Sequence, residues 1–229
     1  MKLYIPLINI LFVSLLFVGG AVQAGAKDDP LLSMFNINQL EIRESDESRP
    51  LIFEGQAWLG YDLNKLWLKA DAERVDSDIE ELEVQALYGK AIAPFWDLQL
   101  GIRSDIRPKP DRNWLVIGLQ GLSPYYFEVD AAFFVDDEGD TAFRLELERE
   151  LMLTQRWVLS PELKMNAYGQ NDIDTATKAG LSDAEIGLRL RYEVRREIAP
   201  YIGINHIKQF GAVNNDSHTQ WLVGVRAWF

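Results

Sequence analysis

From about Gln39 to Phe229 the chain is a succession of segments in which apolar and polar residues alternate, most of them roughly ten residues long. Leu51, Phe53, Gly55, Ala57, Leu59 and Tyr61 fall on one face of such a segment, with Glu54, Gln56 and Trp58 on the other. Leu66, Leu68, Ala70 and Ala72 oppose Lys65, Lys69, Asp71 and Glu73, and Leu82, Val84, Ala86 and Tyr88 oppose Glu81, Glu83 and Gln85. Segments 96–105, 125–133, 143–148 and 183–192 repeat the scheme. A period of two is that of a β-strand, whose successive side chains point to opposite sides. A soluble sandwich alternates as well, so the period alone leaves the architecture open.

The connections narrow it. Short links fall near Asp62-Leu63-Asn64, Ala93-Pro94, Ser123-Pro124, Thr154-Gln155 and Ala199-Pro200. Longer polar links lie between them, at 45–50, 75–78, 107–112, 136–140, 169–181 and 211–217. Short turns on one side and longer loops on the other are the habit of a transmembrane barrel, and the links separate about twelve strands. Tyr61, Tyr88, Trp96, Tyr125, Trp157 and Phe229 sit at or near the short turns or the C-terminus, which predicts an aromatic girdle at one membrane interface. The last segment, 221–229, ends the chain on Trp228-Phe229, with Trp221, Val223, Val225, Ala227 and Phe229 on one face. The expectation is an all-β, up-and-down antiparallel barrel over 39–229, in the outer membrane, with both ends on the periplasmic side.

Residues 1–24 carry the marks of a signal peptide. Lys2 gives a positive start, 7–18 is an uncharged and mostly apolar run, and Val22-Gln23-Ala24 resembles a cleavage site. Residues 25–38 would then form a short periplasmic segment ahead of the barrel. The full chain has 35 acidic against 23 basic residues and a net charge of −12, which argues against nucleic acid as a partner. There is no cysteine, so neither a disulfide framework nor a thiolate metal site is possible.

In a barrel the polar face is the lumen. The alternation projects Glu54, Asp71, Glu73, Glu81, Glu83, Asp97, Asp105, Glu128, Asp130, Glu146, Glu148 and Glu185 inward. Lys65, Lys69, Arg103, Arg144, Lys164, Arg189, Arg191 and Arg226 join them. Two readings stand at this point. The charges form an ion-pair lattice that fills a narrow interior, or their acidic excess marks a path for cations. Both use the same residues.

Other chemistry is sparse. His206 and His218 flank the last long loop, where they either stand as two unrelated loop-end residues or, with Asp216, hold a metal loosely, and Met34 is a single thioether near the start. A hydrolase would need a Ser nucleophile beside a His base; Ser217 is the one candidate near His206, and no phosphate-binding Gly loop is present. No enzymatic activity is expected.

Several stretches are similar to the outer-membrane copper resistance protein B family. They are 60–69 (Gly60-Tyr61-Asp62-Leu63-Asn64-Lys65-Leu66-Trp67-Leu68-Lys69), 85–88, 91–99, 123–131, 153–156, 180–193 and 223–229 (Val223-Gly224-Val225-Arg226-Ala227-Trp228-Phe229). The resemblance runs from about Phe35 to the end, in order and with similar spacing. It implies a barrel in outer-membrane lipid, copper ion binding, a part in copper homeostasis and resistance, and work beside periplasmic copper-handling proteins. Members commonly carry a Met- and His-rich extension ahead of the barrel. Here residues 25–38 precede the first expected strand, with Met34 as their one sulfur ligand, so a copper role is expected to use the lumen or the loops.

Overall fold

In the computed structural model the described residues are 29–44, 49–171, 178–210 and 217–229. The signal peptide expected at 1–24 and Asp216 lie outside them. The strands are β1 (Leu32–Glu44), β2 (Leu51–Gly60), β3 (Asn64–Val75), β4 (Asp78–Ala93), β5 (Trp96–Arg107), β6 (Arg112–Ser123), β7 (Phe127–Asp136), β8 (Thr141–Arg149), β9 (Leu151–Met152), β10 (Trp157–Tyr168), β11 (Gly180–Tyr192), β12 (Ile198–Gln209) and β13 (Ser217–Trp228). β8 and β9 are two pieces of one stave, broken at Glu150, and both pair with β10. The sheet therefore has twelve staves, as the alternation predicts.

Each strand pairs antiparallel with its neighbours in sequence, and β1 pairs with β13, Asn36 opposite Trp228 through to Glu44 opposite Trp221. That last ladder removes both edges, so every stave has a partner on each side, although the two-residue β9 piece pairs only with β10. Phe35 and Phe229 exchange backbone hydrogen bonds at 2.9 and 2.8 Å, which fixes the start of β1 and the end of β13 at the same rim. The connections after β2, β4, β6, β9 and β11 share this rim, and those after β1, β3, β5, β7, β10 and β12 lie at the other. There the link expected to be long at 75–78 is a two-residue turn between β3 and β4.

β1 starts earlier than the hydrophobic pattern suggested. Leu32 already faces Gly60 in the β1–β2 ladder, so 32–38 belong to the barrel and not to a segment ahead of it. A register shift between Ile37 and Gln39 conceals this. The extra residue swaps the faces, so that Asn36 before it and Gln39, Glu41 and Arg43 after it are all buried in the lumen.

The outer surface is apolar along the middle of the staves. Leu66, Ile102, Leu115, Ile117, Ile186, Ile202 and Val223 are all exposed, the arrangement of side chains that meet lipid rather than water. At the terminal rim Tyr61, Tyr88, Tyr125, Trp157 and Phe229 of the expected girdle are exposed, with Trp228 beside them, whereas Trp96 is half-buried against Gly121. Trp157 packs on Tyr192 with ring centroids 4.9 Å apart.

The interior divides into two walls. On one, Trp67, Leu87, Trp114, Val116, Ala132, Phe134 and Ala142 make a buried apolar cluster reaching from β3 to β8, with Trp58 and Tyr168 packed against it. These residues stand at lumen-facing positions of the alternation; Trp67, for one, lies between Lys65 and Lys69. The other wall, on β1 and β10–β13, is ionic.

Candidate functional site

The ionic wall is built around Glu41, which is 1% exposed. Arg43 donates to it from Nε at 2.7 Å, and Arg189 grips both carboxylate oxygens at 2.9 and 3.0 Å. The Tyr201 hydroxyl donates at 2.9 Å. Arg189 also pairs with Glu162, and Arg43 with Glu185 at 3.1 Å. Lys164 links Glu162, at 3.2 Å, to Glu54. Five strands contribute, so the network ties the two sides of the β1–β13 closure to the body of the barrel.

Two glycines make room for it. A β-carbon at Gly224 would lie 2.6 Å from Cζ of Tyr201 and 2.7 Å from Cβ of Glu41, and one at Gly187 would lie 2.8 Å from Nη1 of Arg189. Gly224→Val should therefore destabilise the barrel by about 1–3 kcal/mol through overpacking, read as a lower urea midpoint with unchanged slope. An unchanged midpoint would mean that the network yields without strain.

A second cluster lies against the apolar wall. Arg144 donates to both oxygens of Glu83 at 3.0 and 2.9 Å, and Arg103 reaches Glu83 at 2.8 Å and Asp105 at 2.7 Å. Trp114 Nε1 donates to Asp105 at 2.8 Å. Toward the terminal rim Lys69 pairs with Asp130, Lys65 with Asp97 at 2.9 Å, and Arg226 with Glu148 at 3.0 Å. Arg191 joins Glu148 at 3.4 Å and Glu150 at 2.5 Å.

All the acidic and basic positions assigned to the lumen thus face it. Glu41, Arg43, Glu162 and Tyr201 were not among the candidates. Gln39-Leu40-Glu41-Ile42-Arg43 does alternate, so Glu41 and Arg43 share the polar face of a strand counted from Gln39, a face that the expectation for the lumen leaves out. The apolar wall was also missed, because Trp67, Leu87, Trp114 and Phe134 interrupt the polar parity on which the lumen was assigned.

Between the walls lies a cavity of about 360 Å³ on the terminal side. Seven carboxylates border it, Glu54, Asp71, Glu128, Asp130, Glu146, Glu148 and Glu162, against the three bases Lys69, Arg144 and Arg226. Among the described residues, Glu128 and Glu146 make no ion pair. A larger cavity of about 570 Å³ opens toward the far rim, bordered by Glu73, Glu81, Glu83, Asp183 and Glu185 with Arg43, Arg103, Arg144 and the 107–112 connection.

The two histidines do not converge. His206 pairs with Thr219 and His218 with Ile207 in the β12–β13 ladder, so the imidazoles occupy opposite faces of the hairpin. His206 points outward and its Nδ1 lies 2.9 Å from the Thr219 hydroxyl. Met34 is opposite Trp58 at the other end of the barrel. The shared metal site expected from the loop-flanking histidines is therefore not formed, and among the described residues no three His, Asp or Glu side chains are grouped to hold a metal ion.

A closed barrel with an apolar belt, an aromatic girdle and a charged interior is a transmembrane β-barrel of the outer membrane. It is similar to the NanC porin, with a TM-score of 0.58 at 14% identity over 86% of this chain and 99% of that one, a likeness that concerns the fold alone. The family described as "Copper resistance protein B precursor (CopB)" matches residues 31–229. Copper resistance protein B of Escherichia coli is 38% identical over 92% of this chain and 74% of its own length. The copper resistance protein B homolog of Pseudomonas syringae pv. tomato is 36% identical over 88% and 71%. The chain belongs to the copper resistance protein B family.

Proposed function

We propose that this barrel serves copper resistance and copper homeostasis at the outer membrane by taking copper ions into its lumen and passing them through it, without catalysis. The observation that carries this reading is the excess of carboxylates around the terminal-side cavity, in a chain whose relatives are named for copper resistance. The donors there are carboxylate and amide oxygens. They suit copper(II) better than copper(I), which prefers thioether and thiolate. With no fixed chelate among the described residues, the field of the chamber concentrates the ion, and retention is weak enough for release. Copper-handling proteins of the periplasm are the partners this reading calls for at the terminal rim.

A second reading has its own observation: the ion-pair layers cross the lumen. On this view the barrel is a plugged scaffold acting through partners. Growth on copper(II) separates the two. In a strain lacking the native gene, the wild-type chain should restore growth, and so should the His206→Ala/His218→Ala variant. The variant with Glu128→Gln, Asp130→Asn, Glu146→Gln and Glu148→Gln should not, although it still reaches the outer membrane as a folded barrel. Full rescue by that variant favours the scaffold.

A further inference from the structure

The two lumen cavities are separated by one layer of side chains, and among the described residues Arg144 is the one that borders both. The layer rests on Phe134, which is 1% exposed. Its ring lies 4.7 Å from the Arg103 guanidinium and 5.8 Å from that of Arg144. Between these guanidiniums sits Glu83, shared by both.

The two arginines are held differently. Arg103 has a second anchor in Asp105, through two hydrogen bonds at 2.7 and 3.1 Å, and Asp105 is itself fixed by Trp114. Arg144 has Glu83, one bond to Asn166 at 3.1 Å, and Asp71 waiting 3.8 Å away. Asp71 borders the terminal-side cavity, as does Glu146 two positions along the same strand as Arg144. A second seat for the guanidinium is thus already within reach.

We propose that Arg144 is a cation-operated latch. Seated on Glu83 it closes the lumen. A divalent cation in the far-rim cavity competes for Glu83 with twice the charge of the guanidinium, and Arg144 swings to Asp71 and Glu146. The layer then parts on the Arg144 side, while Arg103, pinned by Asp105, stays in place. The identity of the cation as copper rests on the function proposed above; the moving residue does not.

Conductance of the purified full chain in planar bilayers, with potassium chloride carrying the current, tests this. Arg144→Ala should raise conductance at least about threefold over wild type, and Arg144→Gln serves if the alanine variant does not fold. Copper(II) chloride should raise wild-type conductance and leave Asp71→Asn closed. Opening by magnesium chloride to the same degree keeps the latch and removes the copper assignment. Unchanged conductance in both Arg144 variants overturns the latch. So does an open Arg144→Ala channel beside a wild type that neither ion affects, since the layer would then be a static plug.

Discussion

Glu41→Leu should destabilise the folded barrel by about 3–5 kcal/mol, the cost of leaving a buried charge without its partner. Glu41 accepts from Arg43, Arg189 and Tyr201 at once, and its side chain has no exposed area. Its loss strands two guanidiniums beside each other and a phenol that is 4% exposed. Arg189 keeps Glu162 and Arg43 keeps Glu185, which places the expected value at the lower end of the range. Replacing Arg189 with Met in the same chain should recover part of the loss, because an apolar substitute on both sides removes the uncompensated charge. Urea unfolding of refolded protein, followed by tryptophan fluorescence, measures both. A loss below about 1 kcal/mol, the worth of an exposed pair, would mean that water reaches Glu41 and that the network is not the clasp of the β1–β13 closure.

Ile117→Arg should cost about 2–4 kcal/mol in a bilayer, and Thr219→Arg about 0–1. Ile117 lies midway along β6, exposed between Leu100 and Phe133 on the adjacent strands, which are exposed too. A guanidinium there has no polar neighbour and must reach for the headgroups. Thr219 faces outward near the far end of β13, opposite His206, where headgroups and water are close. The comparison is made by unfolding in lipid vesicles. Equal costs at the two sites would put the membrane belt elsewhere on the staves. The same pair in detergent should differ less, because detergent thins around a charge.

The two effects arise from different sources, and they divide what is legible in the chain from what is not. The lipid belt follows from local alternation. Leu66 and Leu68 against Lys65 and Lys69 suffice to orient a strand, because a one-residue slip would drive a whole apolar set into the lumen and a charged set into lipid. The succession of links then sets the number of staves and the rim at which β1 begins and β13 ends, although the 75–78 link is a two-residue turn and Ala199-Pro200 lies inside β12. Even the lumen acids and bases are assigned correctly by parity.

Parity fails where the backbone departs from strict repetition. At the β1 bulge, between Ile37 and Gln39, the faces exchange, so the parity that puts Gln39, Glu41 and Arg43 in the lumen does not carry back to Asn36 and the earlier half of the strand. On β3, β4, β6 and β7 the lumen positions are apolar at Trp67, Leu87, Trp114 and Phe134. Alternation treats these as exceptions, although together they form a wall.

The family resemblance and the outer-membrane barrel were thus both within reach of the sequence, through motifs in order and a period of two. What the sequence could not supply is which inward side chains meet. Arg189 and Glu41 are 148 positions apart, and Arg144 and Glu83 are 61 apart. Their pairing depends on closure, stagger and the curvature of the sheet, which bring distant strands face to face across the lumen. Period determines the side a residue faces. Only the closed tertiary structure decides its partner, because ion pairs act at a few ångströms and no local pattern carries that distance.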